Sequence, residues 1–436
     1  MVALNRFRPP VFADPKLLRR PLCGVSSEMQ RMKNLRFTAS FALAASSMVT
    51  LGCGSGADDV LPDSGSKGPP EASVAVPTGD DDSGFTGRSG DGGLCRPNYA
   101  SGVNVAWVHF AADVPNPDLA TFQVLFQNTR AAGGRVARWW FHTNGTQTPG
   151  YDPSGMALPI SEGNIADVKN ILDTARAAGM MVTISLWSFD MLKASAGANL
   201  ANNVSLLTVD ANRQAYIDNV LTPLVTRLAG YPGLYSWETF NEPEGMASGG
   251  QGWKAFSQTR LADGGLTGQV VDESFIQKTV NWFAAAIHNA DPSALVTNGT
   301  WEFQAASDVT GMKNYYSDAE LVAAGGLANG TLDYYEVHYY SSDGTKYSPF
   351  INPASYWGLD KPVVIGEFYA LAQDGVAAAD TYTSLHAGGY SGSWAWQYLN
   401  SDGNNSSNGG MVTKWPAMQV PIQNLYALAP NDVDCP

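Results

Sequence analysis

Positive charge is scarce in this chain. Against 40 Asp and Glu stand only 26 Lys and Arg in 436 residues, a net charge of −14. A net charge of that sign offers little to displace phosphate counterions, which argues against a nucleic-acid partner. Histidine and cysteine are scarcer still, at five and four. They are too scattered for a zinc module, and no HxH, HExxH or CxxC occurs. No GxGxxG is found, nor GxxxxGK followed by Ser or Thr, so the usual phosphate cradles are missing. The apolar stretch Phe37–Leu51 would rise about 22 Å as a helix, short of the ~30 Å core of a bilayer. The 45 Gly and 25 Pro follow no collagen period. What remains is 44% hydrophobic and only 15% charged, enough to bury a large core. Aromatic residues reach 11%, more than a core alone requires.

Charge divides the chain into three parts: +6 over residues 1–52, −6 over 53–94 and −14 over 95–436. Met32-Lys33-Asn34-Leu35-Arg36 is basic, Phe37–Leu51 is apolar, and Gly52-Cys53 follows. A basic start, an apolar middle and small residues before a cut describe a secretory signal. Cys53 directly after Gly52 resembles the cut site of a bacterial lipoprotein, which would place a lipid anchor on Cys53. Residues 1–31 are basic and unpatterned, so translation is expected to start at Met29 or Met32. Residues 54–94 are Gly, Ser, Asp and Pro with Asp80-Asp81-Asp82. Such a segment buries too little apolar area to offset its ordering entropy and reads as a tether. Cys95 and Cys435 bracket the rest, and outside the cytosol they are expected to form a disulfide closing one domain.

Within 95–436 a strand-then-helix rhythm recurs eight times. Apolar, β-branched runs lie at Val103–Phe110, Arg135–His142, Met181–Trp187, Leu234–Phe240, Ala294–Asn298, Leu332–His338, Pro362–Glu367 and Gly392–Tyr398. Amphipathic stretches such as Ile165–Ala178, Arg213–Leu228 and Glu273–Asn289 separate them. Continuous apolar strands alternating with helices indicate a parallel sheet covered by helices. Eight such units fit a single (β/α)8 TIM barrel, whose active site lies at the C-terminal strand ends. The rival, a doubly wound sheet, would want a glycine-rich turn after the first strand, which the chain lacks.

Polar residues gather where these strands stop. The fourth ends in Asn241-Glu242 before Pro243, which prevents further pairing. The seventh ends in Glu367. A carboxylate closing a buried strand is costly unless it is paired or functional, and two across one barrel mouth argue for function. Arg138, on the second strand, is a natural partner for one of them. On the sixth, alternation puts His338 and Tyr340 on one face, and on the eighth it does the same for Trp394, Trp396 and Tyr398. Glu238 and Glu336 lie deeper and read as barrel-interior ion-pair residues.

The order Arg138, Asn241-Glu242-Pro243, His338-x-Tyr340, Glu367, Trp396 resembles glycoside hydrolase clan A, family 5 in particular, over about residues 100–430. The strings around Arg138–Gly145, Trp237–Met246 and Tyr356–Glu367 are similar to cellulase-family and mannanase-like bacterial proteins. The resemblance implies Glu242 as acid/base and Glu367 as nucleophile of a retaining hydrolysis of a β-1,4-linked polysaccharide. It also implies Asn241 on the sugar 2-OH, His338 orienting Glu242 or a sugar hydroxyl, and Trp396 as a flat face for the sugar next to the scissile bond. Where the family often has a histidine, the third strand ends Leu186-Trp187-Ser188, so Trp187 is expected to line the cleft, joined by Trp301 and His142. No cofactor and no metal is expected, and the barrel should be a monomer. Among substrates β-mannan leads (a mannan endo-1,4-β-mannosidase), ahead of a cellulose-like β-glucan (an endo-β-1,4-glucanase) and a terminal β-mannoside. A non-catalytic carbohydrate-binding barrel is the reading of another class; two intact glutamates oppose it.

Overall fold

The structure, a computed structural model, describes residues 94–248, 269–399, 415 and 417–434. The expected targeting segment, nearly all of the expected tether and Cys435 lie outside them. Eight parallel strands close into one barrel: β1 (Ala100–Asn104), β2 (Val136–Thr143), β3 (Met181–Ser188), β4 (Leu234–Asn241), β5 (Val296–Thr300), β6 (Tyr335–His338), β7 (Val363–Glu367) and β8 (Gly392–Ala395). Each pairs with its neighbours in chain order, and β1 pairs with β8. This is the expected (β/α)8 architecture. A two-residue parallel pair, Ala247–Ser248 with Val271–Asp272, lies outside it.

Several strands are shorter than their sequence runs suggest, among them β6, which starts at Tyr335 instead of Leu332. The first was expected to reach Phe110 but ends at Asn104. Val105 and Ala106 still bond to β2, through Val105 N–H to Arg138 O and Trp140 N–H to Ala106 O, both 3.0 Å. The chain then turns because Asp113 accepts from the N–H groups of Val108 (3.0 Å) and His109 (2.7 Å) and from Trp139 Nε1 (2.9 Å). At the other end, β8 stops at Ala395, so Trp394, Trp396 and Tyr398 do not share one face. Trp394 lies in the barrel floor and Trp396 at the mouth. The Tyr398 hydroxyl accepts from Asn128 on the helix Leu119–Ala131, outside the barrel.

The helices bury the apolar stripes that the sequence advertises. In Glu162–Ala177, Ile165, Val168, Ile171, Leu172 and Ala175 face the sheet, and Ser161 caps the start by accepting from Asn164 N–H. The stretch from Asp210 to Leu228 contains a π turn at Ile217–Leu221 ahead of Pro223. Proline has no N–H for the carbonyl of Asn219 four residues back. That carbonyl accepts instead from Ile160 N–H at 2.9 Å.

The barrel interior has an apolar floor of Ala100, Val136, Met181, Tyr235, Leu295, Tyr334, Val364 and Trp394, one from each strand or the residue just before it. Above the floor the interior turns polar, so the floor seals one end and the other carries chemistry. At the floor side the segment before β1 meets the last described helix, Tyr99 N–H bonding to Asp432 O at 2.8 Å, and Arg130 of the helix Leu119–Ala131 pairs with Asp434 at 2.9 Å. Cys95 is disulfide-bonded, as expected, and its expected partner Cys435 is not among the described residues.

Closing eight strands forces one very close approach. A Cβ on Gly102 would lie 1.7 Å from the backbone carbonyl oxygen of Val136. Backbone cannot rotate away as a side chain can. Gly102→Ala should therefore lower stability by about 3 kcal/mol, the upper end for overpacking, read as a drop in Tm by calorimetry.

Candidate active site

Arg138 stands at the centre of the polar interior, fully buried. A guanidinium has five N–H donors, and all five are placed. Nε and Nη2 bond the two oxygens of Glu238, each at 2.6 Å. Nη2 also donates to Asn241 Oδ1 at 2.7 Å. Nη1 donates to Glu367 Oε1 at 2.7 Å and to Asn104 Oδ1 at 2.9 Å. Burial opposes the charge of Arg138, yet Glu238, Glu336 and Glu367 hold its pKa well above the ordinary value. Four strands, β1, β2, β4 and β7, are thereby tied to one cation.

The two glutamates singled out by the sequence meet at the mouth, in opposed surroundings. Glu367 accepts from Arg138 and, through Oε2, from the Tyr340 hydroxyl at 2.6 Å. Burial pushes its pKa up to about 7, while Arg138 and Tyr340 pull the other way. Glu242 has no cation bonded to it; its Oε1 lies 2.8 Å from His338 Nδ1. Burial raises its pKa well above the usual carboxylate range, and the charge of Glu367 raises it further. Of the pair, Glu242 therefore takes up the proton first. A donor atom of Glu242, of His338 and of Glu367 all lie within 4.8 Å of one another, the one such set among the described residues. Arg138 already supplies the positive charge there.

Local backbone brings Asn241 and Glu242 to the same mouth. Consecutive strand residues point to opposite faces, and two devices remove that constraint. The pairing of β4 with β5 shifts register between Glu238 and Asn241. Glu242 then leaves the strand in a left-handed conformation, φ 46° and ψ 54°, uncommon for a non-glycine residue. Its N–H donates to Gly299 O at 2.6 Å, and Gly245 N–H donates to Glu242 O at 2.9 Å.

Trp396 sits half-buried at the mouth, its ring 5.5 Å from Trp140 and 5.8 Å from Trp107. Trp301 lies on the rim beside Gly245, stacked on Phe189 at 6.0 Å. Two expected cleft residues are corrected. Trp187 is 1% exposed and packs on His142 and Tyr216, so it presents no face to a sugar. His142 is equally buried behind it; its Nδ1 pairs with Thr148 Oγ1 at 2.8 Å, and burial lowers its pKa to about 3. The shift in pairing of β2 with β3 between Trp140 and Thr143 accompanies this displacement.

Sequence reasoning passed over Asn104, whose amide bonds the carbonyls of Gly366 (2.8 Å) and Trp394 (2.9 Å) and so aims its oxygen at Arg138. The signal was a polar residue at a strand end, hidden by running that strand on to Phe110. It also passed over Glu244, buried and accepting from Tyr316 (2.7 Å) and Trp301 N–H (3.0 Å), with burial raising its pKa to about 7. No spacing in the chain announces that contact, since Tyr316 is far along the sequence.

Comparison with known proteins agrees with this geometry. The Cellulase (glycosyl hydrolase family 5) profile matches residues 100–405. A mannan endo-1,4-beta-mannosidase of Cryptopygus antarcticus is 33% identical over 320 residues, covering 71% of this chain and 82% of that protein. One from Mytilus edulis is 34% identical over 322 residues, covering 71% and 86%. The crystal structure of endo-1,4-beta-mannanase from Eisenia fetida superposes with a TM-score of 0.66 at 31% identity, over 77% of this chain and 94% of that one. A closed barrel with two glutamates facing each other across its mouth, matched over most of its length by this family, places the chain in glycosyl hydrolase family 5 as a glycoside hydrolase.

Proposed function

We propose that this enzyme is an endo-acting β-1,4-mannanase that cleaves mannan with retention of configuration, Glu367 attacking the anomeric carbon and Glu242 serving as acid and then base. One observation carries the mechanism: the two carboxyls approach within 4.8 Å yet sit in opposite electrostatic settings. Retaining glycosidases hold their carboxyls about 5–5.5 Å apart, and inverting ones about 6.5–9.5 Å to admit a water. Arg138 and Tyr340 favour the anion that attacks, while Glu242, buried and facing that anion, keeps the proton the leaving oxygen needs. Once the glycosyl-enzyme forms, the charge on Glu367 is gone. The pKa of Glu242 falls, and its carboxylate can draw a proton from water. Asn241, its oxygen held by Arg138 and one amide N–H given to Ser188 Oγ at 3.4 Å, keeps its second amide N–H for the sugar 2-OH, and Trp396 offers its face to the ring. The substrate assignment rests on the two mannan-cleaving relatives at 33–34% identity. We include export in the same reading, with lipid attachment at Cys53 and a tether over 54–94 ahead of the catalytic domain.

Activity requires Glu367 ionised and Glu242 protonated, so the active pH window is bounded below by Glu367 and above by Glu242. Tyr340→Phe removes a donor from ionised Glu367 and raises its pKa. The acid limb of kcat/KM should move up by about one pH unit, the equivalent of a hydrogen bond to a charged group.

The roles separate by azide rescue. Glu242→Ala should lose polysaccharide hydrolysis by about 10²–10⁴-fold, as expected for a missing general acid. It should still be glycosylated by an activated aryl mannoside, and azide should restore turnover with a β-mannosyl azide as product. Glu367→Ala should give the α-azide or none. Opposite anomers would exchange the roles. A screen on mannan, glucomannan, carboxymethylcellulose and xylan with product sizing tests the substrate; oligosaccharides from mannan are expected, and release of mannose alone would mean exo action.

Cys53→Ser should move the protein from the membrane fraction to the soluble one in a bacterial host, and an unchanged distribution would remove the lipid anchor.

A further inference from the structure

Glu336, on β6 two residues before His338, is used by no step above. It is fully buried, and its Oε1 lies 2.8 Å from Arg138 Nε. Yet the Nε N–H is directed at Glu238, and the other four donors of Arg138 go to Glu238, Asn241, Glu367 and Asn104. Neither oxygen of Glu336 has a hydrogen-bond partner. One other atom beside it is in the same condition: His338 Nε2, buried, without a partner, and 3.7 Å from Glu336 Oε1. The space is built for a carboxyl, since a Cβ on Gly366 of β7 would lie 2.3 Å from that same oxygen.

A buried carboxylate with no donor is among the costliest arrangements in a protein interior; the neutral acid, with one O–H to give, is not. The groups facing Glu336 agree. Arg138 on β2 is the single cation, already shared with Glu238 on β4 and Glu367 on β7, and the remaining neighbours are His338 on β6 and the Tyr334 and Tyr235 hydroxyls. Burial, then Glu238, drives the Glu336 pKa well up, and burial, then Arg138, keeps His338 neutral. A neutral imidazole carries one N–H and one bare nitrogen, and what the second nitrogen meets decides which is which.

We propose that Glu336 is a positioning residue held as the carboxylic acid, whose O–H donates to His338 Nε2 and so fixes the Nδ1–H tautomer that donates to Glu242. An O–H···N bond needs an approach of about 0.9 Å from the 3.7 Å separation. The consequence falls on Glu242. With Nδ1–H pointing at its Oε1, its own proton must sit on the other oxygen, free for the leaving group. In the opposite tautomer the bare Nδ1 would take that proton as a hydrogen bond and turn it away from the substrate. This rests on the assignment of Glu242 as the acid, which azide rescue tests separately.

Glu336→Leu removes the donor. The enzyme should lose roughly tenfold or more in kcat on mannan with little change in KM, and much less on an activated aryl glycoside that does not need the acid. The basic limb of its pH profile should rise, because Nδ1 then stabilises protonated Glu242. Glu336→Gln, whose amide N–H can donate to Nε2 without charge, should restore kcat and the wild-type limbs. If Glu336 were ionised, Glu336→Gln would delete a negative charge and lower both limbs, overturning the proposal. ¹⁵N-histidine NMR of the wild type reads the tautomer directly and needs no variant to fold. His338 protonated on Nδ1 and bare at Nε2 is expected, and the reverse would overturn the proposal even if Glu242 proves to be the acid.

Discussion

The polar half of this barrel depends on one buried cation. Arg138 gives two N–H groups to Glu238 and one each to Asn241, Glu367 and Asn104, so its planar fork sets the relative positions of β1, β2, β4 and β7 at the mouth. Lysine, a point charge with three donors, could not hold that geometry. The sheet makes room with glycine: a Cβ on Gly299 would lie 2.4 Å from Glu238 Oε1 and 2.9 Å from Arg138 Nη2. A strand position that looks merely unpatterned is thus dictated by a carboxylate on the strand beside it.

Four carboxyls surround that one cation or its neighbours, and the imbalance divides their labour. Glu238 takes the bidentate fork and anchors Arg138. Glu367 takes one N–H and a tyrosine hydroxyl, both of which favour its anion. Glu242 and Glu336 receive no N–H from Arg138, and burial drives both toward the neutral form. The anionic and the proton-holding carboxyl are thereby separated by how the donors of one guanidinium are shared, which is the basis of the roles proposed for Glu367 and Glu242. The two residues themselves are chemically identical.

Around the site the aromatic excess falls into distinct tasks. Trp394 and Tyr235 seal the floor, and Trp187 and Tyr216 fill the layer between barrel and helices. Trp107, Trp140 and Trp396 form a cluster at the mouth, with Phe110 edge-on to Trp107 at 4.9 Å and 39% exposed. Phe189 and Trp301 make a separate stack on the rim. Filling the barrel uses part of the aromatic excess, and the rings at the mouth and on the rim account for more of it.

The barrel is legible in the chain's own pattern. Eight apolar runs separated by amphipathic stretches leave few other ways to cover a parallel sheet, and strand-end polarity pointed to Arg138, Asn241, Glu242, His338, Tyr340 and Glu367. All six meet at one mouth because strand order brings their strands together, although alternation alone would set Asn241 and Glu242 on opposite faces. Where alternation is broken, contacts between strands far apart in sequence set the outcome. The register shift in β2–β3 pairing accompanies the burial of His142 behind the mouth, with Trp187 packed against it. The left-handed turn at Glu242 puts that residue beside Asn241 on one face, and the early end of β8 sends Tyr398 to the opposite side from Trp396. Asn104 and Glu336 acquire their meaning from Arg138, contributed by a different strand. Which carboxylate keeps a proton depends on how many N–H groups reach it across the barrel, and no stretch of sequence contains that count.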